Sequence, residues 1–266
     1  MKMKWAALAV VSVLPFAAHA AGFVDTFDSI DPAWTTDRYA PAGFSSVNFD
    51  GDNRLKIDIS SADSFANRPA AYQSTFYNTQ GDYRNASLGT TWKVSGDVYI
   101  SSDFLGGANL RRTDLWARDD NPVENNSQYP IIGVIRNDDS DPFNVNGTLS
   151  TRYRVWDSDT ANGWVDLGTA VTAGWHNLSI TSTGSAFEYS IDGSLVYTDS
   201  TYSEAGFEAL RSVWVQAYNF GDATTTGQSY SAYWDNVSAT QPVPEPATMA
   251  ALGFGAVALL RRRKKA

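Results

Sequence analysis

The chain has 266 residues, no cysteine and a formal net charge of −9 at pH 7. Without cysteine it has no disulfide, thiolate metal site, iron–sulfur cluster or cysteine nucleophile. Between residues 21 and 242 there are 28 acidic and 13 basic side chains, a formal charge of −15 that disfavours binding to nucleic acid or anionic lipid.

The N-terminal segment has the three parts of a secretory signal peptide. Lys2 and Lys4 form a positive start, residues 5–16 are apolar, and Ala18 and Ala20 form an A-x-A cleavage site. We therefore expect residues 1–20 to be a signal helix that is removed after Ala20, so that the mature chain begins at Ala21.

Residues 21–242, which we call the body, are rich in Trp, Tyr, Phe, Thr and Val. These residue types suit the pleated, half-buried surface of a β-sheet. Short segments with alternating apolar residues recur between clusters of Gly, Asp, Asn and Ser, and this spacing predicts a sandwich or barrel. The segments are 54–60, 90–101 in two stretches around Gly96, 130–136, 151–157, 175–180, 187–198, 212–218 and 230–239. Residues 203–212 are either a helix weakened by Gly206 or a loop.

One hairpin is indicated directly by its turn. Asp192-Gly193 separates two apolar segments, 187–191 and 195–198, and a two-residue Asp-Gly connection is typical of a type I′ turn. The order "GWHNLSI", "FEYSIDGSLVYT" and "YWDNV" over residues 174–237 resembles the laminin-G/concanavalin A-like jelly roll. The resemblance implies an all-β fold, a two-sheet antiparallel jelly-roll sandwich, for residues 21–239.

Catalytic groups are sparse in the body. His176 is its only histidine, and no G-x-S-x-G motif is present, so a packed strand histidine is favoured over a Ser-His-Asp relay. Glycosidases of the jelly-roll clan carry a Glu-x-Asp-x-(x)-Glu pattern, which aims paired carboxylates into one cleft. That pattern is absent from this sequence, and we predict no enzymatic activity.

Two acidic segments are candidates for calcium, the one cofactor that the sequence suggests. Asp138, Asp139 and Asp141 follow Asn137, and Asp119, Asp120 and Asn121 lie together earlier in the chain. Calcium takes several oxygen ligands from flexible loops. The alternative is that these are solvated turns, since Asp and Asn also stabilise turns alone.

Three tryptophans are candidates for ligand binding. Trp116, Trp156 and Trp164 each lie beside acidic residues and near predicted loops, where aromatic rings and polar groups together suit a sugar. The alternative is that they belong to the core, as most tryptophans do. We expect one of the three to contact a ligand.

The C-terminus combines a proline-rich triplet, an apolar run and a basic end. Pro244, Glu245 and Pro246 end a tether at 240–246, which we expect to be extended because proline disfavours helix in the residue before it. The uncharged run 247–260 spans about 21 Å as a helix, short of the ~30 Å of a bilayer core. Five cations follow and predict a cytoplasmic end: Arg261, Arg262, Arg263, Lys264 and Lys265.

This arrangement closely resembles the PEP-CTERM sorting signal. The resemblance implies export from a Gram-negative bacterium, transient anchoring in the inner membrane with the body outside, and processing near the triplet by an exosortase. The protein would then reach the cell surface or extracellular matrix. A permanent anchor through the short hydrophobic helix at 247–266 is the alternative.

Taken together, these features predict an exported, non-catalytic, lectin-like module that associates with extracellular polysaccharide in a biofilm matrix. Two alternatives remain open. One is a polysaccharide-processing enzyme with an unrecognised Asp-based site, and the other is a purely structural matrix component.

Overall fold

The protein is described by a computed structural model over residues 22–106, 110–121, 126–138, 149–201, 208–221 and 228–241. Sixteen strands lie in these ranges. They are β1 Phe23–Asp25, β2 Trp34–Thr36, β3 Gly43–Phe49, β4 Asp52–Ile59, β5 Thr79–Asn85, β6 Thr91–Ile100, β7 Arg111–Asn121, β8 Asn126–Gln128, β9 Ile131–Asp138, β10 Leu149–Trp156, β11 Trp164–Asp166, β12 Gly174–Thr183, β13 Phe187–Ile191, β14 Ser194–Asp199, β15 Ala209–Tyr218 and β16 Tyr230–Thr240.

Helical structure in the described ranges is short. The α-helix α1 spans Ser102–Leu105, and four 3₁₀ turns lie between β4 and β5, at Ser61–Asp63, Phe65–Asn67, Ala70–Tyr72 and Thr75–Asn78. No helix in the described part of the chain is long and apolar enough to cross a membrane.

The strands form two antiparallel sheets of eight strands each. Sheet I has the order β14-β13-β12-β6-β16-β4-β3, with β1 also paired to β16. Sheet II has the order β11-β10-β9-β7-β15-β5-β2, with β8 also paired to β7. The all-β, two-sheet antiparallel sandwich predicted from the sequence is therefore confirmed.

The main core lies between the inner faces of the two sheets. Alternate strand residues point inward, as period-2 geometry requires, and Trp92 and Trp234 are fully buried there. The indole Nε1 of Trp234, in sheet I, donates a 2.7 Å hydrogen bond to the hydroxyl of Thr113, in sheet II. The core thus includes a specific polar link between the sheets.

Several predicted elements lie where the sequence placed them, and others differ. Asp192 and Gly193 have φ of 51° and 77°, which fits the type I′ turn expected between β13 and β14. The two stretches predicted within 90–101 form one continuous strand, Thr91–Ile100, because the pairing of β6 with β12 runs unbroken through Gly96, whereas the pairing with β16 shifts register there. Of the ambiguous segment 203–212, residues from Ala209 onward belong to β15.

Candidate functional site

The outer face of sheet II carries an aromatic row that crosses six strands. Its members are consecutive cross-strand partners in register: Tyr83, Trp214, Trp116, Ile131, Trp156 and Trp164. At about 4.8 Å per strand the row is roughly 24 Å long. Trp116, Ile131 and Trp214 form a cluster separate from the main core, which places them on the opposite face from their inward neighbours.

A polar row runs beside the aromatic one. Gln216, Asp114, Gly133 and Arg154 are successive cross-strand neighbours within it. Gly133 is required there, because a Cβ would lie 2.1 Å from the Asp114 carboxylate. Asp114 accepts a 2.5 Å hydrogen bond from Nε of Arg112, so this carboxylate is buried as an ion pair.

The segment after β2 covers the middle of this face. The amide of Gln216 donates to the Asp37 carboxylate at 3.0 Å. The guanidinium of Arg38 lies 5.0 Å from the ring centre of Trp116 and 4.5 Å from that of Phe76. Arg38 therefore joins the buried aromatic row to a ring on the 3₁₀ turns.

Beside this contact lies a cleft of about 420 Å³. Tyr83, Trp214 and Ser212 come from β5 and β15, and Phe76 comes from the last 3₁₀ turn. Asp37, Arg38, Asn85, Arg118 and Tyr129 complete the lining. Phe76 is 57 % exposed, a large fraction for a phenyl ring, whereas Trp214 is buried and held by neighbouring Tyr83 and Tyr129 rings.

The cations of the cleft are already paired with carboxylates. Nε of Arg38 lies 3.3 Å from Asp37, and Nε of Arg118 lies 2.6 Å from Asp120. Arg118 also donates to the hydroxyl of Ser127 at 3.1 Å. The cleft thus offers aromatic rings, hydroxyls, amides and paired charges, and these groups suit a neutral, hydroxyl-rich ligand.

The three tryptophans predicted as ligand contacts all lie in the aromatic row, but not in the lining of the cleft. Trp116 is in the middle of β7 and is covered by Arg38. Trp156 and Trp164 pack edge to face at the far end of the row, 5.1 Å between ring centres. One face of Trp164 is occupied by Arg154, whose guanidinium lies 3.7 Å from the ring centre.

The cleft aromatics were missed by the sequence analysis. Trp214 lies in a segment recognised only as a strand, and Phe76 lies in a region with no predicted element. The sequence feature that could have identified this face is the alternation in β15 and β7. There, Val, Ala or Leu on one face alternates with Trp, Gln, Asp or Arg on the other. A strand face that carries Trp beside charged residues indicates the outer face of a sheet rather than the main core between the sheets.

The predicted metal candidates are only partly described. Asp138 ends β9, and nothing is described of its side chain, while Asp139 and Asp141 lie outside the described residues. In the second acidic segment, Asp119 and Asp120 are adjacent in β7, so their side chains lie on opposite faces of the sheet. Burial raises the pKa of Asp119 to about 7, although the Glu208 backbone N–H donates to it at 3.0 Å.

His176 is held on both ring nitrogens. Nδ1 lies 2.8 Å from the Asp192 carboxylate, and Nε2 lies 3.0 Å from the carbonyl oxygen of Thr172. These contacts tie β12 to the turn of the β13–β14 hairpin. This arrangement matches the packed histidine favoured by the sequence.

Comparison with known proteins agrees with this fold. The two-sheet jelly roll is similar to an alginate lyase, Aly36B, at 12 % identity and TM-score 0.51, covering 86 % of this chain and 100 % of that one. It is similar to the Crh5 transglycosylase in complex with NAG at 11 % identity and TM-score 0.50, covering 85 % and 86 %. Rv0315, a pseudo β-1,3-glucanase of Mycobacterium tuberculosis, is 18 % identical with TM-score 0.49, covering 83 % and 98 %. The likenesses to the alginate lyase and the transglycosylase establish the jelly-roll fold alone.

The C-terminal signal is identified independently. Residues 242–264 match the PEP-CTERM protein-sorting motif, which includes Pro244, Glu245 and Pro246. The match indicates an exported protein sorted through exosortase. The motif, the basic cluster at 261–265 and the signal cleavage site at Ala18 and Ala20 lie outside the described residues. A comparison with curated proteins finds no match.

Proposed function

We propose that the body is a non-catalytic module that binds a neutral polysaccharide outside the cell. The observation that carries this proposal is the cleft on sheet II, where exposed Phe76 and partly exposed Tyr83 and Tyr129 lie beside Asn85 and Ser212. Aromatic faces pack on the C–H faces of sugar rings, and neighbouring amides and hydroxyls bond their hydroxyl groups.

Charge favours a neutral ligand over an acidic one. The body carries a formal charge of −15, so an anionic polymer is repelled at long range. Arg38 and Arg118 do not reverse this, because each is paired with a carboxylate. Binding is therefore expected to depend little on ionic strength.

The carboxylates of the outer face favour binding over chemistry. Asp114, Asp120 and Asp166 accept hydrogen bonds of 2.5, 2.6 and 2.6 Å from arginine Nε atoms. Each of these carboxylates is thus engaged by an arginine, whereas a glycosidase uses two carboxyl groups that face the sugar from either side of one cleft. A processing enzyme and a ligand-free matrix component remain the rival functions.

Localisation completes the proposal. The signal peptide and the sorting motif would hold the body outside the inner membrane of a Gram-negative cell until exosortase processes the tail. Release would place the cleft at the cell surface or in the matrix, where polysaccharide is abundant.

The test uses the full chain, purified in mild detergent, on an array of neutral and acidic polysaccharides. We expect binding to neutral polymers that changes less than twofold between 50 and 500 mM salt, about the insensitivity expected without ion pairing. The same samples are assayed for new reducing ends and unsaturated uronates. Either product would establish the enzyme, and an absence of binding to every polymer would favour the matrix component.

A further inference from the structure

Three aspartates meet where the edges of the two sheets approach each other. Asp157 and Asp159 lie in the turn between β10 and β11, in sheet II, and Asp199 is the last residue of β14, in sheet I. One carboxylate oxygen of each lies within 4.8 Å of the other two. Asp157 and Asp199 are only 5 % and 2 % exposed, while Asp159 is exposed.

Asp199, a member of this cluster, has one carboxylate oxygen that lacks a hydrogen-bond partner. Its Oδ1 accepts a 3.1 Å hydrogen bond from the backbone N–H of Thr201, but its Oδ2 is buried with no hydrogen-bond partner. A buried carboxylate oxygen without a partner is costly in free energy.

The carboxylate of Asp157 is held in a fixed position within the turn. Its Oδ1 accepts from the backbone N–H of Asp159 at 2.9 Å, and its Oδ2 accepts from the hydroxyl of Tyr197 at 2.6 Å. Each carboxylate oxygen has a second lone pair, so these hydrogen bonds leave it able to bind a cation as well. The hydroxyl of Ser158, between the two aspartates of the turn, is also buried without a partner.

We propose that Asp157, Asp159 and Asp199 form a calcium site. The donors are carboxylate oxygens, which suit a hard cation, whereas zinc prefers nitrogen and sulfur ligands. Calcium completes its shell of six to eight oxygens with waters and neighbouring carbonyls more readily than magnesium, which needs near-ideal octahedral geometry. Three protein carboxylates at an extracellular site correspond to a Kd on the order of 10⁻⁴ to 10⁻³ M.

A cation here would connect the edges of the two sheets. Asp157 directly follows Trp156, whose carbonyl oxygen accepts a 3.1 Å hydrogen bond from the hydroxyl of Tyr189 on β13. Calcium would add a second link at the same edge and would hold the turn that separates Trp156 from Trp164. The expected consequence is a calcium-dependent gain in stability, independent of any sugar.

Terbium luminescence tests the site directly, because Tb³⁺ replaces calcium and is sensitised by nearby aromatic rings such as Trp156 and Tyr197. The full chain in mild detergent is first freed of metal with EDTA and then titrated with Tb³⁺. We expect sensitised emission that millimolar Ca²⁺ displaces. We also expect 10 mM Ca²⁺ to raise Tm by about 3–6 °C for a Kd of ~1 mM.

Two variants locate the site. Asp199→Asn, which keeps the side-chain shape, should fold as the parent does by circular dichroism and weaken Tb³⁺ binding at least tenfold. The double variant Asp139→Asn/Asp141→Asn should bind Tb³⁺ as the parent does. No sensitised emission from the parent, undiminished binding by Asp199→Asn, or loss in the double variant alone would each overturn the proposal.

Discussion

Trp116 and Trp214 are direct cross-strand partners on the outer face of sheet II, in a cluster separate from the main core. Arg38 lies over Trp116 and also over Phe76, so a single guanidinium joins the buried pair to the exposed ring. The cleft therefore combines a rigid floor with a ring available to a ligand. Such preorganisation reduces the entropy lost on binding.

Replacing Phe76 tests the exposed ring. Phe76→Ala removes an aromatic face of the cleft and should weaken polysaccharide binding about tenfold, equivalent to ~1.4 kcal/mol. The variant should keep the parent's Tm within a few degrees, because the ring is 57 % exposed. Leu195→Ala is the matched control, since Leu195 is 58 % exposed on sheet I and should leave affinity unchanged. Equal losses of affinity in both variants would argue against the cleft.

The hydroxyl of Tyr230 links the start of β7 to the end of β15. It accepts from the backbone N–H groups of Arg112 and Tyr218, at 3.2 and 3.0 Å, and lies 2.7 and 2.8 Å from their carbonyl oxygens. Tyr230→Phe leaves these buried backbone groups unsatisfied and should lower the free energy of unfolding by about 1–3 kcal/mol.

Chemical denaturation measures this loss. Tyr233→Phe is the control, because Tyr233 is stacked on Phe49 in sheet I and its ring is retained in the variant. If Tyr230→Phe and Tyr233→Phe unfold at the same denaturant concentration, the Tyr230 hydroxyl does not stabilise the fold as described.

Asp119 makes stability depend on pH. Burial raises its pKa from 3.8 to about 7, so the folded state binds more protons than the unfolded state between these values. Stability contributed by this group is therefore greatest below pH 4 and falls as pH rises to 7, by at most about 4 kcal/mol. Asp82, whose pKa burial raises to about 6, acts in the same direction.

The variant Asp119→Asn removes the ionisation. It should raise Tm at pH 8, and its advantage should shrink as the pH falls below 7 and disappear near pH 4, as measured by thermal unfolding across pH 4–8. Asp103→Asn is the control, because the Asp103 side chain is 72 % exposed. An advantage for Asp119→Asn that is the same at pH 4 and pH 8 would rule out this ionisation as its cause.

The sorting motif predicts a processing defect. Deleting Pro244–Pro246 removes the triplet within the matched residues 242–264 and should leave the chain uncleaved and held in the membrane fraction of its host. Immunoblotting of membrane and medium fractions measures the outcome. Release of the deletion variant at the parent's size and rate would show that the triplet is not needed for sorting.

The architecture was predictable where the sequence pattern is local. Alternation defined most long strands, and Asp192-Gly193 defined its turn through two positive φ values. The four 3₁₀ turns carrying Phe76 were not predicted, because short turns lack a clear hydrophobic period. Trp116 was expected near a loop because acidic residues lie close to it in the sequence. It lies instead in the middle of β7, where a strand can carry these acidic residues because they are paired with arginines on its surface.

The sites were less predictable because they join distant parts of the chain. Phe76 and Trp214 share one cleft although they are far apart in sequence. Asp199 approaches Asp157 only because β14 and the β10–β11 turn meet at the sandwich edge. The pattern of a single sequence predicts only on which face of its own strand a residue lies. Which residues of different strands come together depends on the order of the strands in the sheets.

Hydroxyl-radical footprinting of the full chain, with and without a neutral polysaccharide that it binds, tests directly whether the cleft on sheet II holds the ligand. We expect protection of Phe76, Tyr83 and Tyr129, with Leu195 on sheet I reacting equally in both samples. Protection confined to residues outside the cleft, with Phe76 fully reactive in the bound sample, would contradict it.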